Sequence, residues 1–159
     1  MAKDESFFDS RAAVLASIPH RPPFLFIDDI VKWLDNGVVC VYRFKKDEYF
    51  FEGHYPDMPI VPGVILCEAA MQAGAVYTAR IINDDNKDKQ GKFPVVGRMN
   101  NIKFKNVVKP GQLIEMTVVM KEKIAGAYIF KAKTTCEEKP VVSFEFIVTL
   151  IDKVEDGKD

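Results

Sequence analysis

Most of this chain alternates between apolar and polar positions, and one long stretch breaks the alternation. Across residues 64–82 the only polar side chains are Glu68, Gln72, Tyr77, Thr78 and Arg80. That pattern predicts a helix apolar on nearly all sides, and therefore buried. Ahead of it, Ser6 or Asp9 caps a short helix over 6–17, with Phe7, Phe8, Ala12, Val14 and Leu15 on one side and Pro19 ending it. Pro22 and Pro23 exclude helix next, and residues 24–31, rich in aromatic and branched side chains, predict a strand. Asn36-Gly37 signals a hairpin before a second strand over 38–44. Beyond the long helix, residues 83–91 are polar and predict the most flexible loop. Strand-like runs follow at 93–98, 101–107, 113–123 and 127–136, with Pro110-Gly111 and Gly126 as turn signals, and a last one at 141–150. The charged tail, 152–159, is expected to fray.

Helix, two strands, one long apolar helix, then several antiparallel strands is an α+β order. A helix that needs cover all round is best served by one curved antiparallel sheet wrapped about it. Long edge strands need pairing or blunting, which points to sheet-to-sheet dimerisation.

At 159 residues the chain is expected to form a single domain over 1–159, large enough for a real core. Its net charge of −1 argues against non-specific nucleic-acid binding. Cys40, Cys67 and Cys136 show no CxxC spacing and fit reduced core thiols, and two histidines without clustered cysteines give a metal site little support. The opening MAKDESFFDS has no signal-peptide pattern, and Glu68, Gln72 and Arg80 punctuate the one apolar stretch of near membrane-spanning length. The expectation is a cytoplasmic or equally reducing compartment without membrane insertion.

Candidate chemistry concentrates in residues 53–75, GHYPDMPIVPGVILCEAAMQAGA. His54 stands on a glycine-flanked turn, and Pro56, Pro59 and Pro62 stiffen the path to the helix. Pro62 suits the first helical position, and Gly63 offers an unpaired first-turn N–H and close backbone approach, a ready site for developing negative charge. Glu68 and Gln72 lie one turn apart on a shared face. The apolar neighbours Val64, Ile65, Leu66 and Ala69 disfavour the ionised form of Glu68, as a general acid requires. Histidine titrates near neutrality and suits a base.

Each candidate has a plainer alternative. An isolated loop histidine such as His54 ordinarily just bonds its own turn, but the fourteen-residue spacing to Glu68, with a helix start between, favours function. Glu68 has no basic residue within a turn to pair with it, which weighs against a purely structural carboxylate. Gln72 fits orientation of Glu68 and satisfaction of backbone groups equally well. His20, flanked by prolines, is read as a hydrogen-bonding anchor where the chain joins the sheet. Lys103, Lys105 and Lys109 fit the solvated face of a strand with Ile102 and Phe104 inward, or, with Arg98, a docking face for an acidic carrier.

Three motifs, IPHRPPFLFIDDIV (18–31), FFEGHYPDMPIVPGVILCEAAMQAGA (50–75) and IKFKNVVKPGQL (102–113), resemble the hotdog-fold 3-hydroxyacyl-(acyl-carrier-protein) dehydratases of the FabZ type, in that family's order. The resemblance spans about residues 15–150 and implies a curved antiparallel sheet around one hydrophobic helix. It implies His54 and Glu68 as catalytic residues, Gly63 as the oxyanion-binding helix start and Gln72 in support. Glutamate rather than aspartate at 68 resembles the simple dehydratase, not the relative that also isomerises the double bond. It implies reversible dehydration of a (3R)-3-hydroxyacyl chain on acyl carrier protein to the trans-2-enoyl form in fatty-acid biosynthesis, without metal or organic cofactor. It further implies a homodimer or trimer of dimers, sites composed at the dimer interface, and a tunnel for the acyl chain. A stiff spacer from His54 to Gly63 is consistent with a site shared between chains, though a bent loop would also join them within one. Two departures, Pro22 in place of a commoner tyrosine and GRMNN over 97–101, bear on the tunnel mouth and carrier contacts. Rival functions are a hotdog thioesterase using a water held by Glu68, and a non-catalytic subunit that binds acyl carriers.

Overall fold

The computed structural model describes residues 10–85 and 91–152. Over them the chain forms α1 (Ser10–Ser17), β1 (Asp29–Leu34), β2 (Gly37–Arg43), α2 (Gly63–Asp85), β3 (Lys92–Phe104), β4 (Leu113–Ile124), β5 (Ala127–Cys136) and β6 (Lys139–Asp152). The strands make one sheet in the order β1-β2-β4-β5-β6-β3, every neighbour antiparallel. Alternation sets its faces. Ile114, Met116 and Val118 on β4, Tyr128, Phe130 and Ala132 on β5, and Phe144, Phe146 and Val148 on β6 are buried. Lys131 and Lys133, between the buried positions of β5, are exposed.

α2 lies in the concave face of this sheet but is not covered on every side as its apolarity predicts: Val64 at its start is exposed, and Met71 and Ala75 are only partly buried. Ala69, Ala70, Ala73 and Val76 are fully buried. Small residues let helix and sheet approach closely: a Cβ on Gly74 would stand 2.6 Å from the Phe146 ring. Each buried branched or aromatic side chain stabilises the fold by about 1.5–3 kcal/mol, so this layer dominates stability. Cys40, Cys67 and Cys136 are free and buried within it. Burial, with some help from Asp29, pushes the Cys40 thiol up to about 12, and burial alone pushes Cys67 up to about 11, so both stay protonated.

Local boundaries depart from the sequence pattern where long-range partners intervene. Residues 24–28 are not strand, because the Phe24 carbonyl and Phe26 N–H are taken by the Gln72 side chain before pairing begins at Asp29. The run at 93–98 and the first part of the run at 101–107 are one strand, β3, which ends at Phe104, so 105–107 are not strand. Its register against β6 slips between Val96 and Arg98 and again between Asn100 and Lys103, with Asn101 at φ 53. The GRMNN stretch is thus absorbed as bulges rather than a break. Gly37 is not inside the turn: Leu34 pairs with it, and its missing Cβ matters because one there would sit 2.1 Å from the Val118 carbonyl oxygen. α2 runs on to Asp85, since neither glycine nor proline stops it after Ile82. Asp152 belongs to β6 rather than to the tail, with its carboxylate 3.5 Å from Lys92 Nζ. Helix α1 holds the Ser10–Ser17 part of the expected 6–17 helix. Residues 6–9, the loop centre at 86–90 and the tail at 153–159 lie outside the described residues. Among those described, no helix is long and apolar enough to cross a membrane.

Two features position the candidate residues. Arg21 fastens the turn after α1, donating to the carbonyls of Leu15, Ile18 and His20 at 2.9, 2.8 and 2.7 Å. The loop leading to His54 is pinned by Phe50, whose ring lies 6.1 Å from that of Phe44, 6.3 Å from that of Phe26 and 4.8 Å from that of Phe51.

Candidate active site

Glu68 and Gln72 sit one turn apart on α2, on the face that meets the segment after α1. Gln72 is 1% exposed, and both ends of its amide are engaged. Its Oε1 accepts the Phe26 N–H at 2.8 Å, and its Nε2 donates to the Phe24 carbonyl at 3.1 Å and to Glu68 Oε1 at 3.0 Å. The backbone partners fix which end of the amide is oxygen, so the group facing Glu68 is a donor. Gln72 therefore fills both roles that the sequence left open: it satisfies backbone groups and orients the carboxyl. With Oε1 accepting, a proton on the neutral acid belongs on Oε2.

The histidine at position 20 is not the hydrogen-bonded anchor expected of it. Its Nε2 lies 3.7 Å from Glu68 Oε1, and its Nδ1 is buried without a hydrogen-bond partner. His20, Glu68 and Gln72 line one cavity of about 250 Å³, whose apolar wall includes Met71, Pro94, Val95 and Val148. Glu68 is also less sealed than its apolar neighbours predict, its side chain keeping 23% exposure. Both differences have one cause. The 18–26 segment folds back over α2, which brings in a polar neighbour and leaves a mouth beside it.

His54 stands on a separate loop. Its N–H bonds the Phe50 carbonyl at 3.0 Å, and its Nδ1 lies 3.0 Å from the Ile60 carbonyl oxygen. A carbonyl only accepts, so Nδ1 carries the hydrogen and the neutral ring keeps its lone pair on Nε2. His54 does bond its own turn, then, and in doing so presents the nitrogen a base would use. It does not line the cavity at Glu68. Tyr55 beside it adopts φ 52, and their rings meet edge to face at 4.7 Å.

Gly63 begins α2, with the Pro62 carbonyl accepting from Ile65 and Leu66 at 3.0 and 3.2 Å. Pro62 is thus the cap rather than the first helical residue. That leaves the N–H groups of Gly63 and Val64, ahead of those two bonds, without a carbonyl partner within the helix. Phe104 covers Gly63 closely: a Cβ there would stand 2.8 Å from its ring. Yet Phe104 is 55% exposed and Ile102 41%, against the expectation that alternation turns them into the core. The reason is position: β3 is an edge strand, paired on one side only.

Arg98, Lys103, Lys105 and Lys109 are all exposed, and none is ion-paired among the described residues. Of the two departures, Pro22 lines a different cavity, with Arg11 and Tyr42, whereas the residues just before Gly97 line the cavity at Glu68. No group of three or more histidine, cysteine or acidic side chains is arranged to hold a metal among the described residues.

A family model described as a FabA-like domain matches residues 18–145, a span that holds the helix, the His54 loop and most of the sheet. The chain is 37% identical over 138 residues to the 3-hydroxyacyl-(acyl-carrier-protein) dehydratase FabZ of Clostridium kluyveri, covering 86% of this chain and 92% of that one. It is 33% identical over 145 residues to the enzyme of the same name from Caulobacter vibrioides, covering 89% and 87%. The chain belongs to the FabA-like family, among its hotdog-fold dehydratases of the FabZ type. The fold is shared with the dehydratase heterocomplex ApeI:P of Xenorhabdus doucetiae, at TM-score 0.73 and 15% identity, covering 88% of this chain and 91% of that one. It is shared too with the PaaI protein of E. coli, at TM-score 0.58 and 16% identity over 76% and 81%.

The residue that sequence reasoning missed is His20. A histidine two residues before Pro22-Pro23 and forty-eight before Glu68 carries no local signal of that contact. For Gln72, replacement by leucine keeps the volume but orphans the buried Phe26 N–H, at a cost of about 1–3 kcal/mol. Urea unfolding at fixed protein concentration is expected to register that loss. A change under about 0.5 kcal/mol, the range of an ordinary surface substitution, would mean the amide holds nothing together.

Proposed function

We propose that this protein reversibly dehydrates a (3R)-3-hydroxyacyl thioester carried on acyl carrier protein to the trans-2-enoyl thioester and water. The observation that carries this is the direction of hydrogen bonding at two side chains. His54 is held by the Ile60 carbonyl with its Nε2 lone pair free, and Glu68 is held by Gln72 with Oε2 left to bear a proton. His54 Nε2 takes the C2 proton, and the electron pair forms the C2–C3 double bond as the C3–O bond breaks. The departing hydroxide takes the Glu68 proton and leaves as water. His54 is then protonated and Glu68 ionised, and solvent exchange returns the proton from one to the other. Negative charge gathers on the thioester oxygen meanwhile, and the Gly63 N–H at the start of α2 suits it. The step as written uses no metal and no organic cofactor. The curated relatives named above are dehydratases of acyl-carrier substrates, which favours this over thioester hydrolysis or carrier binding alone.

One chain supplies half of this site. His54 is absent from the cavity that Glu68 lines, and the β3 edge leaves Phe93, Val96, Ile102 and Phe104 exposed. Pairing of two such edges in a homodimer would bury those side chains and bring the His54 of one chain to the Glu68 of the other. The larger assembly proposed is a trimer of such dimers, working in the cytoplasm. The exposed cations Arg98, Lys103, Lys105 and Lys109, on and just beyond the same strand, suit the acidic surface of a carrier docking beside the cavity.

His54→Ala and Glu68→Gln are each expected to lower turnover by on the order of 10²–10⁴, the usual value of a positioned acid or base, with folding little changed. Near-normal turnover in Glu68→Gln would remove it as the acid. For the carrier, Lys103→Glu with Lys105→Glu is expected to raise KM for carrier-bound substrate while sparing a short thioester analogue. Equal effects on both substrates would mean that the lysines only solvate the strand.

A further inference from the structure

The cavity holds a polar group that the proposed reaction does not use. His20 belongs to the same chain as Glu68, and its imidazole stands over the same carboxyl oxygen that Gln72 occupies. Its Nδ1 has no acceptor in reach, so the neutral ring loses least by carrying its hydrogen on Nε2, the nitrogen that faces Glu68. The ring is aimed there by its backbone. Arg21 clamps the carbonyls of Leu15, Ile18 and His20, and Gln72 ties Phe24 and Phe26 to α2, so the segment is fastened on both sides of the histidine. The gap of 3.7 Å is longer than a hydrogen bond, and both side chains are part-exposed into the cavity. Polar contacts of this kind commonly tighten only when substrate fills the site.

We infer that His20 is a positioning residue for Glu68: its Nε2–H is a second donor to Oε1, beside that of Gln72, and closes onto it during the reaction. Two donors on Oε1 keep the acidic proton on Oε2 and hold that oxygen toward the departing hydroxyl. They also stabilise the carboxylate that appears only as the proton leaves, so the contact strengthens in the transition state rather than in the bound substrate. His20 itself gains and loses no proton in this role.

This rests on the dehydratase reading, and reach decides it. In His20→Gln the amide nitrogen takes the place of Nε2, whereas in His20→Asn it reaches only the place of Nδ1. Both are polar and smaller than the ring, so packing losses are similar, and thermal midpoints check that they are. With a short 3-hydroxyacyl thioester, His20→Asn is expected to lose on the order of 10- to 100-fold in kcat, the worth of one hydrogen bond to a charged group. His20→Gln is expected to recover most of that loss. KM should stay within about threefold in both, as for a group that acts in the transition state alone. Equal kcat in the two variants, or a change confined to KM, would overturn the inference. So would a kcat loss that follows the thermal midpoint rather than reach. An inactive parent protein would instead remove the dehydratase reading, and the role of His20 with it.

Discussion

One buried amide holds the functional end of this molecule together. Gln72 joins three things that are far apart in sequence: the backbone of the segment after α1, the central helix, and the carboxyl of Glu68. Its hydrogen-bonding capacity is matched by partners of fixed polarity, so it has one orientation and imposes one on Glu68. The same bonds explain why residues 24–28 are not strand, and why His20 hangs over the cavity instead of facing solvent. The cavity is thus a product of the sheet's curvature and of this side chain, with the sheet supplying the apolar wall and Gln72 fixing the polar corner.

The second constraint is an unfinished edge. β3 closes one side of the sheet with exposed Phe93, Val96, Ile102 and Phe104, and its two register slips lie between the cavity-wall residues Pro94, Val95 and Val96 and the first of the lysines, Lys103. An edge strand of this length and apolarity calls for cover. His54, with its proton already fixed on Nδ1 by Ile60, lies outside the cavity of its own chain. In the proposed homodimer, the unpaired edge and the base absent from the cavity are answered together by a second copy of the chain.

The sequence was most legible where the pattern is local. His54, the spaced prolines, Gly63, Glu68 and Gln72 fall within two dozen residues, and helical spacing alone places the last two on one face. The long helix and the alternating strands of the C-terminal half were equally plain, because burial enforces their periods. What periodicity could not reveal were partners distant in sequence. Gln72 bonds Phe26 across forty-six residues, and nothing near either position announces it. That contact turned an expected strand into a strap and an expected anchor into a neighbour of Glu68. The asparagines of β3 resembled a break because bulges and turns draw on the same residues. Gly37 was read as a turn residue when the constraint on it comes from Val118 on a neighbouring strand.

The most direct test of the shared site is complementation between two crippled chains. His54→Ala and Glu68→Gln chains, differently tagged and co-expressed, are separated so that only dimers bearing both tags are assayed. If His54 and Glu68 of different chains meet, one site in each mixed dimer has both groups intact and the other has neither. Turnover should then return to about half that of the unaltered dimer, one working site in two. If each chain builds its own site, both sites stay impaired. Mixed dimers no more active than either parent would contradict the shared site.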